Sequence, residues 1–249
     1  MQLARLAAAL ALSCSVFPAH ALLIRPDRDD AEYRELATRY TAAVALPGGG
    51  EAVLIAPSWL LTTAKRAQAL PPGARVKIGE SAYAVKSVRV HPSFAGGAAN
   101  DIALVQLRSG VPEEIEPLQL YRGNDEGGKG VVIVAHGPGG TIGSAARADD
   151  ARARGAINTI DRIGERVFGI RVKPGDEASD LQGALTPAET GAPAIVETTQ
   201  GLFLVGVATA IEGDWETYAR ASAYASWIES AMLDTAKREV EQMLDPERR

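Results

Sequence analysis

From Tyr40 onward the chain is built of short apolar runs separated by turn residues. TAAVAL (41–46), EAVLIA (51–56), RVKIG (75–79), AYAVKSVRV (82–90), DIALVQL (101–107), GVVIVAHG (130–137), RVFGIRV (166–172), GAPAIVE (191–197) and GLFLVGVATA (201–210) are bounded by Gly, Pro, Asn or Ser. Runs of this length with turn chemistry between them predict strands, and many of them in succession predict an all-β barrel or sandwich. AYAVKSVRV alternates apolar and other residues, the signature of a half-buried strand. No regular internal repeat competes with that reading. The two ends differ. Residues 30–41 have helical composition. The stretch from Ala223 to about Met243 holds no Gly or Pro. There Trp227, Ile228, Met232 and Ala236 recur near i, i+4 with charges between them, which predicts an amphipathic terminal helix. Asp149 to Arg154, with the Gly-rich 137–143 segment, reads as a surface loop region.

The first 21 residues read as a processing segment. Arg5 gives a positive start, Leu6 to Leu12 is apolar, and Ala19-His20-Ala21 has the small-x-small form of a cleavage site, so a secretory signal peptide cut after Ala21 is expected. Cys14 raises a lipoprotein alternative, but Ala11-Leu12-Ser13 before it fits that pattern poorly. Cleavage removes the single Cys of the chain, so the exported protein has no disulfides and relies on burial. No later stretch has the run of about 18 apolar residues that a membrane helix needs. A formal charge of −5 argues against a general nucleic-acid binder. The three-part division is signal peptide 1–21, lead-in 22–42 and a main domain 43–249. A secreted or periplasmic monomer is the expectation.

Three segments carry candidate chemistry: LTTAKRA (61–67), NDIALVQL (100–107) and AETGAP (188–193). In order and rough interval they resemble LTAAHCA, NDIALL and GDSGGP of the trypsin/chymotrypsin-like serine proteases, which deliver the catalytic His, Asp and Ser. Around them, LIAPSWLLTTAK (54–65), VHPSF (90–94), GAPAIVE with GLFLVGV (191–207) and TYARASAYASWI (217–228) extend the resemblance from about Ala43 to Ile228. The resemblance implies a double six-stranded antiparallel β-barrel followed by a C-terminal α-helix.

In that alignment the triad positions hold Lys65, Asp101 and Thr190. The family's mechanism needs a hydroxyl nucleophile, a base that is neutral near working pH and a carboxylate orienting that base. Histidine meets the second need because it titrates near ~6.5. A lysine beside a carboxylate keeps its proton and cannot accept another. Lys65 and Asp101 are therefore expected to form an ion pair. Thr190 keeps a hydroxyl, but its methyl stiffens χ1 and crowds the approach. Ala188, preceded by Pro187, replaces the flexible Gly of the oxyanion turn, and Glu189 replaces the Asp that pairs with a newly cleaved N-terminus. No I-V-G-G-type N-terminus is present to insert. The resemblance places Ala184 at the floor of the substrate pocket and Thr209, Ala210 and Ile211 on its wall. Ala184 lacks the charge that signals Lys/Arg preference, and Ile211 replaces a Gly and narrows the groove.

The remaining candidates are weaker. His91 in the HPSF turn reads as a surface residue. His136, before a Gly-rich loop, has no identifiable partner. Two histidines without Cys give no metal-site spacing, and GPGG (137–140) lacks the Lys-Ser/Thr of a phosphate cradle. No cofactor and no metal are expected. Three functions fit this sequence. The first is an exported protease homologue that has lost proteolysis and binds a peptide or protein in the former substrate groove. The second is an active hydrolase using Thr190 with a non-standard base. The third is an envelope structural or accessory protein that uses only the scaffold.

Overall fold

The computed structural model describes residues 22–137, 139–144 and 150–245. The expected signal peptide lies outside the described residues. Two antiparallel barrels fill most of the molecule. The first orders its strands Ala43–Ala45, Glu51–Ala56, Trp59–Thr62, Ala103–Leu107, Ser81–Val90 and Arg75–Ile78. The second runs Pro193–Thr198, Gly130–His136, Ala153–Ile163, Val167–Arg171, Trp215–Arg220 and Gly201–Glu212, and the last strand pairs back to the first to close the ring. Gln119–Leu120, on the crossing between barrels, adds a short parallel strand beside Phe203 and Leu204. The expected double six-stranded architecture with one long terminal helix is what the chain adopts.

Apolar residues segregate to the insides of both barrels. Val53, Leu61, Val76, Leu104 and Val105 are fully buried in the first; Ile133, Phe168, Ile170 and Val205 fill the second. Val134, Ile195 and Val207 of the second barrel join the core of the first, so the seam between barrels is apolar at its base. The polar groups of the site lie within this seam.

Residues 22–33 pack into the second barrel, and Ala37, Tyr40 and Ala42 join the core of the first. Leu22 and Ile24 are buried, and Leu23–Ile24 pairs with Gly140–Thr141 on one side and Gly183–Ala184 on the other. Helix α1 (Asp30–Ala37) starts at a capping box in which Asp29 accepts from the Ala31 N–H and Glu32 accepts from the Asp29 N–H. Its Tyr33 is fully buried and donates to the Gln182 carbonyl at 2.9 Å.

Three sequence expectations are corrected here. Arg154 does not belong to a surface loop. It lies in the Ala153–Ile163 strand, 2% exposed, with Asp30 and Asp150 neutralising its guanidinium. His91 is buried, its ring 5.4 Å from that of Tyr224 and 4.9 Å from that of Trp227. Both aromatics come from the terminal helix, so the HPSF turn is covered by a segment distant in sequence. His136 ends a barrel strand and has a carboxylate partner, described below.

The terminal helix α3 (Ala221–Leu244) does more than close the chain. On its buried face Tyr224, Ile228 and Ala231 join the apolar cluster that fills the first barrel and the base of the seam. The Tyr224 hydroxyl accepts from the Asn100 N–H at 3.1 Å and lies 3.2 Å from its Oδ1. Asn100 has φ +57°, a left-handed conformation that asparagine tolerates better than most residues. Held this way, it turns the chain so that the next residue, Asp101, points into the seam.

Candidate functional site

The site is assembled from three short connections facing the seam. Strand Trp59–Thr62 leads into helix α2 (Ala64–Gln68), where Thr63 caps the first turn by accepting from the Arg66 N–H. Asp101 arrives just before strand Ala103–Leu107. Thr190 ends a 3₁₀ turn, Pro187–Glu189, that precedes strand Pro193–Thr198.

Lys65 and Asp101 meet. Lys65 Nζ lies 3.2 Å from Asp101 Oδ2, and the Lys65 backbone N–H donates to Oδ1 at 3.0 Å. Asp101 is wholly buried, whereas the Lys65 side chain remains 48% exposed. The ammonium approaches Oδ2 off the hydrogen-bonding direction, so this buried oxygen has an ionic neighbour but no hydrogen-bond partner among the described residues.

Thr190 is not joined to that pair. Its hydroxyl accepts from Arg66 Nε at 2.7 Å. Nη2 of the same guanidinium donates to the carbonyls of Pro187 at 2.7 Å and Ala188 at 2.9 Å. Arg66 reaches this position because Gly50 lets it pass. Gly50 has φ +90°, and a Cβ there would come within 2.5 Å of Arg66 Cδ and Nε. Sequence reading did not single out Arg66. Its only sequence trace is its place beside Lys65, opposite a three-glycine turn.

The turn carrying Ala188 and Glu189 closes on itself. Ala188 N–H donates to Thr186 Oγ1 at 3.3 Å, and Thr186 N–H donates to Glu189 Oε2 at 2.6 Å. An oxyanion site needs free N–H donors. Here the carbonyls of the turn face the seam and the Ala188 donor is turned inward. Glu189 is buried, and burial pushes its carboxyl up to about 8 against the pull of the Thr186 hydrogen bonds.

Glu51 lies directly under this turn. Its carbonyl accepts from Thr62 Oγ1 at 2.6 Å, and its N–H donates to the Thr190 carbonyl at 3.0 Å. Gly191, with φ +98°, fits against it; a Cβ there would lie 1.9 Å from the Glu51 carbonyl oxygen. The Glu51 carboxylate accepts from the His136 N–H at 2.8 Å and contacts His136 Nδ1 at 2.9 Å. Burial raises the Glu51 carboxyl, against the imidazole's opposing effect. Burial also works to lower His136, but the Glu51 carboxylate outweighs it, so the imidazole is raised. The sequence offered no sign of this pair, because its members belong to different barrels.

The residues expected to form a substrate pocket lie near a second acid, Glu216. Ala184 is half-buried in the short strand beside Leu23. The next residue, Leu185, donates its N–H to Glu216 Oε1 at 2.6 Å, and Tyr218 OH donates to Oε2 at 2.6 Å. Glu216 is 1% exposed, and burial pushes it up to about 7. Beside Ala184 the chain therefore buries a carboxyl, Glu216, that the neutrality of Ala184 did not suggest. Thr209, Ala210 and Ile211 lie on strand Gly201–Glu212. Thr209 is buried and donates to the Thr217 carbonyl at 3.1 Å, while Ala210 and Ile211 pair with Thr217 and Glu216. Ladder pairing with Pro193–Thr198 stops at Val207, so among the described residues Thr209–Glu212 has ladder partners on one side only.

No group of three or more His, Cys, Asp or Glu is placed to hold a metal ion among the described residues. No described helix is long and apolar enough to cross a membrane.

Comparison with known proteins agrees with this geometry at the level of fold. No curated protein matches the chain. Among solved structures, the chain is similar to neuropsin, a serine protease expressed in the limbic system of mouse brain. The TM-score is 0.61 at 18% identity, covering 78% of this chain and 95% of neuropsin. The family model for Trypsin matches residues 28–228, most of the chain and both barrels. The chain belongs to the trypsin family.

Proposed function

We propose that this protein is an exported, monomeric member of the trypsin family that binds a peptide or protein segment in the seam without cleaving it. Lys65, Asp101 and Thr190 occupy the triad positions in this reading. Lys65 pairs with Asp101, and the imidazole that takes up the proton in acyl transfer is not at this position. The observation that carries the reading is the contact of Arg66 with Thr190. A positively charged donor engages a lone pair of the hydroxyl at the nucleophile position. It also lies against carbonyls where a developing oxyanion would need donors. Binding remains available because Thr209–Ile211 presents a strand edge without a ladder partner, the geometry by which extended peptides add to a sheet.

The test is labelling of the purified protein with a serine-directed fluorophosphonate, alongside turnover of casein-type substrates. The expected outcome is neither labelling nor cleavage. Labelling that disappears in Thr190→Ala would establish the hydrolase reading instead.

A further inference from the structure

We propose that the segment bound in this seam presents a carboxylate, from an Asp or Glu side chain or from a C-terminus, to the guanidinium of Arg66. The proposal rests on the reading of the seam as a peptide-binding groove.

The three acceptors of Arg66 are all neutral oxygens: the Thr190 hydroxyl and the carbonyls of Pro187 and Ala188. Each nearby carboxyl group is engaged elsewhere. Asp101 is held by Lys65, Glu51 by His136, and Glu189 by the N–H of Thr186. Burial pushes the Glu189 carboxyl up to about 8, and no hydrogen bond joins it to Arg66 among the described residues. Burial of the guanidinium lowers its pKa, and the carboxyl groups of Glu189, Glu51 and Asp101 only partly oppose this. A partly buried cation whose hydrogen-bond acceptors are all neutral is poorly compensated, and an incoming anion relieves that state.

The guanidinium also has a free end. Nη1 has no acceptor among the described residues. The backbone beside it is Gly49, whose Cβ, if present, would lie 3.8 Å away with no other atom within 4 Å. A ligand oxygen over that glycine would therefore meet Nη1. A planar carboxylate suits a guanidinium better than a lone acceptor does.

The experiment measures binding of fluorescein-labelled random peptide pools by fluorescence anisotropy. The pools carry an acidic, neutral or basic central residue, each with a free or an amidated C-terminus. Pools bearing a carboxylate should bind about tenfold tighter than the amidated neutral pool, with the advantage shrinking at high salt. The acidic amidated pool and the neutral free-acid pool distinguish side chain from C-terminus as the source. Arg66→Gln should abolish the preference and Arg66→Lys should keep part of it, with thermal melts confirming that both variants fold. Equal binding of all pools by the wild-type protein overturns the carboxylate inference and leaves the groove reading standing. A preference that survives in Arg66→Gln but vanishes in Lys65→Met also overturns it. Failure of every pool to bind removes the groove reading and the inference together.

Discussion

Arg66 Nε donates to Thr190 Oγ1 at 2.7 Å, and this contact joins the helix of one barrel to the turn of the other. It separates the three proposed triad positions into two independent contacts, Lys65 with Asp101 and Arg66 with Thr190. Restoring the side chains of a triad therefore does not restore its geometry. The double variant Lys65→His/Thr190→Ser is expected to remain unlabelled by fluorophosphonate. Arg66 would still cap the new hydroxyl, and the Ala188 N–H would still be tied to Thr186. The loss of a single oxyanion donor lowers kcat by about 10²–10³-fold. Labelling of the double variant would show that the turn reorganises readily, contrary to its closed capping box.

The ion pair at the base of the seam is expected to matter for stability through its buried half. Lys65→Met leaves Asp101 wholly buried with one oxygen lacking any hydrogen bond, whereas Lys65→Met/Asp101→Asn removes the charge as well. The single variant should lose about 1–3 kcal/mol, at the low end for a buried pair because the ammonium is half-exposed. The double variant should recover most of that loss. Chemical denaturation of the four proteins of this cycle measures it, and equal losses in single and double variants would show that Asp101 draws little from Lys65.

The close approach of the two barrels at Gly191 should tolerate no side chain. Gly191→Ala places a Cβ 1.9 Å from the Glu51 carbonyl oxygen in a conformation with φ +98°. The backbone must shift, disturbing both the Glu51 N–H to Thr190 bond and the turn above it. A loss of more than about 3 kcal/mol, or failure to fold, is expected from denaturation or expression assays. A mild effect would mean that the seam is looser than its hydrogen bonds imply.

What the sequence made legible follows from where the apolar residues lie. Runs such as EAVLIA and GVVIVAHG announce their strands because both carry buried aliphatic positions in succession. The strand Ala153–Ile163 escapes the same reading because two of its buried positions are Arg154 and Asn158. Arg154 is neutralised by Asp30 and Asp150, and Asn158 exchanges hydrogen bonds with Gly183. Polarity that is satisfied by distant partners looks, in sequence, like polarity that faces water. The site divides the same way. Lys65, Asp101 and Thr190 stand in motifs and are found by spacing. Arg66 and His136 gain their side-chain partners from chain segments far away, and Glu216 gains one of its two, the Leu185 N–H, in the same way.

Stability should fall as pH rises, because the buried acids of the site hold protons that the unfolded chain releases. Glu189 is raised from 4.5 to about 8 and Glu216 from 4.5 to about 7, with burial the main cause in each. A raised folded-state pKa means that the native state binds more protons than the unfolded state between the two values. The slope of unfolding free energy with pH is then negative across that window. The contribution is full below about 4.5, declines through pH 5–8 and is exhausted above the folded value. Glu51 and His136 are raised as well and act in the same direction. For Glu189 alone the change is at most about 5 kcal/mol, less if the turn opens to admit water when the proton leaves. Glu189→Gln keeps a group of the same shape that stays neutral at every pH. The variant should therefore flatten the decline, matching the wild-type protein near pH 5 and exceeding its stability at pH 8.5. Urea denaturation at both values measures the difference. An unchanged slope in the variant would mean that Glu189 ionises in place, with Arg66 turning to meet it.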